Sequence, residues 1–198
     1  MHLNSQLLFK KYAPDCFQDY QRVLEIGPDG FPSTYRRLVN NPTLDWQTID
    51  ITNDPRLTFQ ASDEYTFPMP SSLFDVVLSG QVIEHVRKTW VWIQEVARVC
   101  KPGGYVITVN PVSWAYHEAP IDCWRIYPEG MKALYDEAGL EVQHCAAESL
   151  EPWSHRVPKY LRLFRKIASG GELPASGLPP VIDTITIGRK PLMTIRAA

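Results

Sequence analysis

Residues 23–35 read Val23-Leu24-Glu25-Ile26-Gly27-Pro28-Asp29-Gly30-Phe31-Pro32-Ser33-Thr34-Tyr35, or VLEIGPDGFPSTY. A short apolar run interrupted by an acid meets a Gly-Pro-Asp-Gly turn, and a helix start follows. A turn of this kind cradles a dinucleotide when it carries G-x-G-x-x-G, because the second glycine lets the backbone approach a pyrophosphate. Counted from Gly27, the second position is Asp29 and the third is Pro32, so only the first glycine fits. An acid beside a pyrophosphate repels it. Glu25 and Asp29 instead suit a ligand that lacks phosphate and carries a cationic end. A bare strand–turn–helix corner is the alternative reading.

Outward from this turn, short apolar runs alternate with longer mixed segments. Residues 22–26, 46–51, 74–78 and 105–110 read as strands buried on both faces. Between the last two, Val86, Trp90, Ile93, Val96, Ala97 and Cys100 recur at helical spacing, which predicts an amphipathic helix over 86–100. Lys101-Pro102-Gly103-Gly104 should end that helix and open the next strand. A helix over 128–138, a strand over 140–145, a basic helix over 156–167, a loop over 168–180 and a final strand over 181–188 follow. The alternation predicts an α/β sandwich with a largely parallel sheet, and ligands at the carboxyl ends of its strands.

The 198 residues suit one domain with a full core, and 44% hydrophobic and 21% charged residues are ordinary for a globular chain. A net charge of −2 gives no general attraction to nucleic acid or to an anionic membrane. No window reaches the run of about 18 apolar residues that a membrane span needs. The first residues lack the apolar core and cleavage site of a signal peptide. Cys16, Cys100, Cys123 and Cys145 are scattered, so free thiols in a reducing cytoplasm are expected and no metal site is.

Four stretches in order carry a family resemblance. Glu25 and Gly27 fit the first motif, [DE]-x-G-x-G-x-G, with departures at Asp29 and Phe31. Asp50 closes WQTID some twenty residues later, SDEYTFPMPSSLFDVVLSGQVIEHV spans 62–86, and CKPGGYVITVNP spans 100–111. Together they resemble the class I S-adenosylmethionine-dependent methyltransferases, of the type 11-like group. The resemblance implies a Rossmann-like, seven-stranded, mostly parallel sheet with an antiparallel last strand and helices on both faces. It implies one methyltransferase domain over 1–198, with 1–21 as an N-terminal helix or lid. It also implies S-adenosylmethionine as cofactor, with Glu25, Gly27, Pro28, Asp29 and Gly30 in the first loop. Asp50 and Ile51 would lie at the ribose, Asp63 or its neighbour Glu64 near the adenine, and Ser79, Gly80 and Gln81 along the methionyl part.

The segment 110–130, NPVSWAYHEAPIDCWRIYPEG, is unusually rich in aromatic and titratable groups for a crossover loop. One reading has its aromatics capping the core while Asp122 pairs with Arg125. The other makes it the substrate loop. His117 is then the base that takes a hydroxyl proton, and Asp122 orients it or acts as base itself. Trp114, Tyr116, Trp124 and Tyr127 offer flat faces to a sugar or aromatic ring, and Arg125 holds an anionic group. The pattern H-x-x-P-x-D-x-W-R is similar to that of bacterial methyltransferases of glycan and secondary-metabolite pathways. Glu84 and His85 read first as a helix-end acid and a packed ring. His2, His144 and His155 read as incidental, and the basic helix as a solvated face.

The expectation is therefore O-methylation of a sugar, glycan or other small hydroxylated acceptor. The alternatives are N- or carboxyl-methylation, or a non-catalytic cofactor-binding domain attached to a partner enzyme. A partner domain or a homodimer would complete the lid.

Overall fold

A computed structural model describes residues 1–118, 120–151 and 181–192. The expected basic helix and the loop after it lie outside these residues, as does His155. Seven strands form one sheet: β1 (Arg22–Ile26), β2 (Asp45–Asp50), β3 (Phe59–Gln60), β4 (Phe74–Gly80), β5 (Cys100–Pro111), β6 (Glu141–Glu148) and β7 (Asp183–Arg189). Their order is β3-β2-β1-β4-β5-β7-β6, and all pair in parallel except β7, which runs antiparallel to both β5 and β6. The order reverses between β1 and β4, the place where an open α/β sheet leaves a crevice at its carboxyl edge.

Helices α1 (Leu3–Tyr12) and α2 (Thr34–Val39) cover one face, and α3 (Thr89–Val99) and α4 (Pro128–Glu137) cover the other. The amphipathic pattern of α3 puts Trp92, Ile93 and Val96 into the core with Leu24, Phe74, Val77 and Val106. Leu8 and Phe9 of α1 and Tyr35 of α2 pack with Val23, Val76, Leu78 and Ile107 on the opposite face. Two neighbours of α3 differ from the sequence expectation. Residues 83–85 form a separate short 3-10 turn before α3, and Cys100-Lys101-Pro102-Gly103-Gly104 already belong to β5. The register of β5 shifts there, Gly103 takes φ +80°, and a Cβ on Gly104 would sit 2.7 Å from the Asp75 carbonyl oxygen. The glycines thus shape an irregular strand start rather than a helix stop. All four cysteines are free.

The first turn is built from its own acids. Glu25 points to the α1/α2 face, is 1% exposed, and accepts bonds from the Ser33 hydroxyl and from Trp46 Nε1 at 2.8 Å. Ser33 in turn caps α2 by accepting from the Arg36 amide at 3.1 Å. Asp29 accepts from the Thr34 amide at 2.7 Å and from its hydroxyl at 2.6 Å. Burial raises the Asp29 carboxyl, but these bonds from Thr34 outweigh it and leave the group below its usual value. Burial also pushes Glu25 from 4.5 up to about 7, against the bonds from Ser33 and Trp46 that lower it.

Two outcomes follow from this packing. A Cβ on Gly80 would lie 2.2 Å from the Tyr35 hydroxyl and 2.7 Å from its ring carbon Cζ. Tyr35 is fully buried and cannot swing out, so Gly80→Ala should destabilise the fold by about 1–3 kcal/mol, read as a lower urea midpoint at unchanged slope. For Glu25, both states are neutral well below 4.5. Between 4.5 and about 7 the unfolded chain ionises while the folded carboxyl keeps its proton, so this group's share of stability is lost as pH rises through that window. Glu25→Gln keeps an acceptor for Ser33 and Trp46 and should remove that decline. Urea titrations of both proteins across the window should show the variant gaining on the wild type with rising pH.

Candidate cofactor cleft and acceptor segment

At the carboxyl ends of β1, β2 and β4 lies a cleft of about 290 Å³. Gly27, Asp50, Ile51, Asp63, Glu64 and Gln81 of the expected cofactor residues border it, with Ile26, Ile49, Ala61, Phe67, Val86 and Trp92 as apolar wall. Gly27 is required by its backbone: φ is +67°, and a Cβ there would lie 2.4 Å from Val82 Cγ2. Asp50 Oδ1 accepts from the Thr52 amide at 2.9 Å, which fixes the carboxylate and leaves Oδ2 for a ligand. Asp63 Oδ1 holds the Tyr65 amide at 2.7 Å, and Glu64 sits 4.0 Å from Arg87. No lysine or arginine lines the cleft among the described residues. A pair of phosphates would find acids and no cation there, whereas a diol, an adenine and an ammonium group would find acceptors. The residues present fit a cationic nucleoside.

The other residues expected at the cofactor are placed elsewhere. Glu25 is spent beneath the sheet on Ser33 and Trp46, and Asp29 on capping α2. Pro28 is half-buried in the turn and does not border the cleft. Gly30 lines a separate hollow with Phe31, Arg36 and Arg56. Ser79 and Gly80 remain inside β4, where Ser79 pairs with Ile26 and Thr108 and Gly80 is pressed against Tyr35.

Gln81, the first residue past β4, takes φ +60° and turns its amide away from the sheet axis toward α1. Its Nε2 donates to Ser5 Oγ at 3.0 Å and to Asp183 Oδ1 at 3.4 Å. Asp183 is fully buried and also accepts from Asn4 Nδ2 at 2.8 Å and Ser5 Oγ at 3.3 Å, with His2 Nδ1 3.4 Å away. His2 stacks on Trp114 with centroids 4.5 Å apart. The first residues are therefore tied to the rim of the site, and His2 is not incidental. His144 also has a partner, stacking on Tyr12 at 4.0 Å. Nothing in the sequence pattern links residues 2–5 to residue 183.

The acceptor segment is stapled by one ion pair. The Asp122 side chain is 1% exposed, and its two oxygens meet the forked Arg125 guanidinium. Asp122 also accepts from the His117 amide at 2.7 Å and lies 3.3 Å from His117 Nδ1. Arg125 further donates to the carbonyls of Trp114, Ala115 and Trp124. It is thus occupied within the loop and is not available to hold an anionic acceptor. The Arg125 bonds hold the Asp122 carboxyl well below the usual range, so Asp122 stays ionised and orients its neighbours rather than taking a proton. Trp114, Tyr116, Trp124, Asp122 and Arg125 line an open recess of about 280 Å³. Tyr127 is 63% exposed, sits at the N-cap just before α4 and does not line it.

Recess and cleft meet through a line of side chains. Asp122 borders the recess, His85 borders the cleft, and His117 is bonded to the first while its ring meets the second edge-on, centroids 5.0 Å apart. The turn that carries His85 anchors the segment: the Glu84 carbonyl accepts from the amides of Cys123 at 2.8 Å and Trp124 at 3.3 Å, and Trp124 Nε1 donates to the Val86 carbonyl at 2.9 Å. Glu84 itself is 1% exposed, and burial pushes its carboxyl up to about 8. Sequence reading treated Glu84 and His85 as packing residues. The position of His85 shortly after β4 was the available signal that it borders the cleft.

A family profile described as a methyltransferase domain matches residues 39–108. The 27-O-demethylrifamycin SV methyltransferase of Amycolatopsis mediterranei is 37% identical over 151 residues, 69% of this chain, and the chain spans 53%, about half, of that relative. A S-adenosylmethionine-dependent methyltransferase from Archaeoglobus fulgidus superposes with TM-score 0.64 at 16% identity, covering 93% of this chain and 92% of that one. A chain from the Haloferax volcanii complex containing the Trm112 methyltransferase activator superposes with TM-score 0.65 at 17% identity, covering 98% and 91%. At such identities the two structures speak to the fold, and the fold, the sequence relative and the domain profile agree: the chain belongs to the class I S-adenosylmethionine-dependent methyltransferases.

Proposed function

We propose that the chain transfers a methyl group to a hydroxyl of a small ring-bearing acceptor, a sugar or another hydroxylated compound. The Asp122–His117–His85 line joining an aromatic recess to the cofactor cleft is the observation that carries this reading. When bound, S-adenosylmethionine supplies a methyl group on a sulfonium, whose sulfur is already a good leaving group. The protein's task is then mainly to hold the acceptor oxygen in line behind that carbon. Trp114 and Trp124 present flat faces on which a ring can lie, one braced by His2 and the other by its bond to Val86.

A hydroxyl must also lose its proton as it attacks. His117 Nδ1 faces two acceptors, the Ala115 carbonyl at 3.2 Å and the Asp122 carboxylate at 3.3 Å, so in the neutral ring it keeps the proton and Nε2 carries the lone pair. That nitrogen is the group we assign to the acceptor hydroxyl, with Asp122 as its orienter. Asp50 is assigned to the ribose diol, and Gly27 and Gln81 to the methionyl side. The four free cysteines support work in the reducing cytoplasm. The activator in the Haloferax volcanii complex supports a partner domain or a second copy closing the recess, which is open to one side.

Calorimetry with S-adenosylmethionine and S-adenosylhomocysteine should show binding to the purified chain, and Asp50→Ala should weaken it about tenfold or more. Failure of both ligands at high micromolar concentration, with NADH binding in their place, would overturn the cofactor assignment. With labelled cofactor and a panel of sugar, phenol and aliphatic alcohol acceptors, His117→Ala should lower turnover about 100-fold or more while cofactor affinity stays within about twofold. Unchanged turnover would remove His117 from the reaction. Transfer to amines or carboxylates alone would replace the hydroxyl reading.

A further inference from the structure

Glu84 poses a problem that the methyl-transfer reading does not solve. Its carboxyl is 1% exposed, and neither Oε1 nor Oε2 has a hydrogen-bond partner among the described residues. Native chains rarely keep a buried carboxyl in that state unless something absent from the polypeptide completes it. Two imidazoles lie beside it. His85 Nε2 is 3.8 Å from Glu84 Oε1, and one ligand atom each from Glu84, His85 and His117 falls within 4.8 Å of the others.

The outer partners of both rings are those of metal-binding histidines. His85 Nδ1 bonds the Ile121 carbonyl, which fixes the proton on Nδ1 and leaves the Nε2 lone pair beside Glu84. His117 Nδ1 faces the Asp122 carboxylate and the Ala115 carbonyl, a carboxylate–histidine arrangement that does the same for its ring. The nearest positive charge, Arg125, is spent on Asp122, so Glu84 has no cation of its own. Ligand atoms around a tetrahedral ion with bonds of about 2.0–2.2 Å stand about 3.3 Å apart. The present spread of up to 4.8 Å therefore needs a contraction of up to about 1.5 Å, which the partly exposed His117 side chain can supply.

We infer that Glu84, His85 and His117 form a binding site for one divalent transition-metal ion of the zinc type at the junction of the cofactor cleft and the acceptor recess. Two neutral imidazoles and one carboxylate leave a coordination position open, as catalytic rather than structural sites do. Resting on the hydroxyl-methylation reading, the inference gives that position to the acceptor oxygen. The ion lowers the hydroxyl pKa and the proton leaves to water. An oxygen lone pair then forms the bond to the methyl carbon, and the carbon–sulfur pair stays on sulfur as the neutral thioether. His117 acts in that case as a ligand, and water rather than its ring takes the hydroxyl proton.

The test uses the chain after dialysis against a chelator, titrated with Zn²⁺ by calorimetry and with Co²⁺ by visible absorption. The expected result is one ion per chain, a Co²⁺ spectrum of low-coordinate type, and affinity reduced about 100-fold or more in both Glu84→Gln and His117→Ala. His117 sits on the outer segment, so its variant keeps the test valid if Glu84→Gln folds poorly. Glu129→Gln, an exposed carboxylate on α4 that lines neither cleft nor recess, should bind like the wild type. No binding, or binding that survives both ligand substitutions, overturns the site. If the chain methylates hydroxyls, loses that activity in His117→Ala and binds no ion, the metal inference fails while the base reading stands. If it binds the ion through these residues yet methylates no hydroxyl, the site stands and the acceptor reading fails.

Discussion

The fully buried carboxylate of Asp183 is the contact on which the carboxyl edge of this sheet depends. It begins β7, the strand that runs against its neighbours, so it arrives at the same edge where β4 and β5 end. There it collects Asn4 and Ser5 from α1 and Gln81 from the end of β4. An unpaired buried carboxylate would be costly, and these donors satisfy it only if α1 is docked. Docking of α1 places His2 against Trp114, and the Ile182 backbone beside Asp183 bonds Val112 and Ser113. One charge at the start of the reversed strand therefore joins the N-terminal helix, the cofactor side of the cleft and the root of the acceptor segment.

The remaining acids at this edge divide by what they already hold. Glu25 and Asp29 are used by the chain to build the first turn and cap α2, and Asp122 is used to close the acceptor segment around Arg125. Asp50 and Asp63 each give one oxygen to a local amide and keep the other toward the cleft. A carboxylate satisfied by its own loop shapes a site, and one that is half satisfied is able to receive a ligand. That distinction sorts the acids of this chain better than their nearness to a glycine turn does.

The sheet itself was readable. The five- and six-residue segments 22–26, 74–78 and 105–110, each rich in apolar and β-branched side chains, suit burial on two faces in a central sheet, and the three-and-four spacing after residue 86 suits a helix with one apolar side. Two-residue β3 has no pattern to read, and Lys101-Pro102-Gly103-Gly104 carries the chemistry of a helix stop while serving as a strand irregularity. In the site, Gly27, Asp50 and Gln81 stand where strand ends must put them. Glu25 was misplaced for a physical reason. Its neighbours Leu24 and Ile26 are as buried as Val23, so nothing in β1 tells which face of the sheet an interior residue points to. The Asp183 contacts span nearly the whole chain and leave no local trace.

Glu25 and Glu84 make the same point by contrast. Both are glutamates near the carboxyl edge, both are 1% exposed, and burial raises the carboxyl of each. Glu25 faces the α1/α2 layer, where a serine hydroxyl and an indole nitrogen supply its donors. Glu84 follows β4 at the crevice, where two imidazoles with their Nδ1 atoms already engaged lie beside it and no other described residue donates a hydrogen bond to its carboxyl. A chain able to satisfy the first by two hydrogen bonds from its own side chains leaves the second without one from another described residue, between the cleft and the recess, and it is on this open buried acid that the inferred metal site rests.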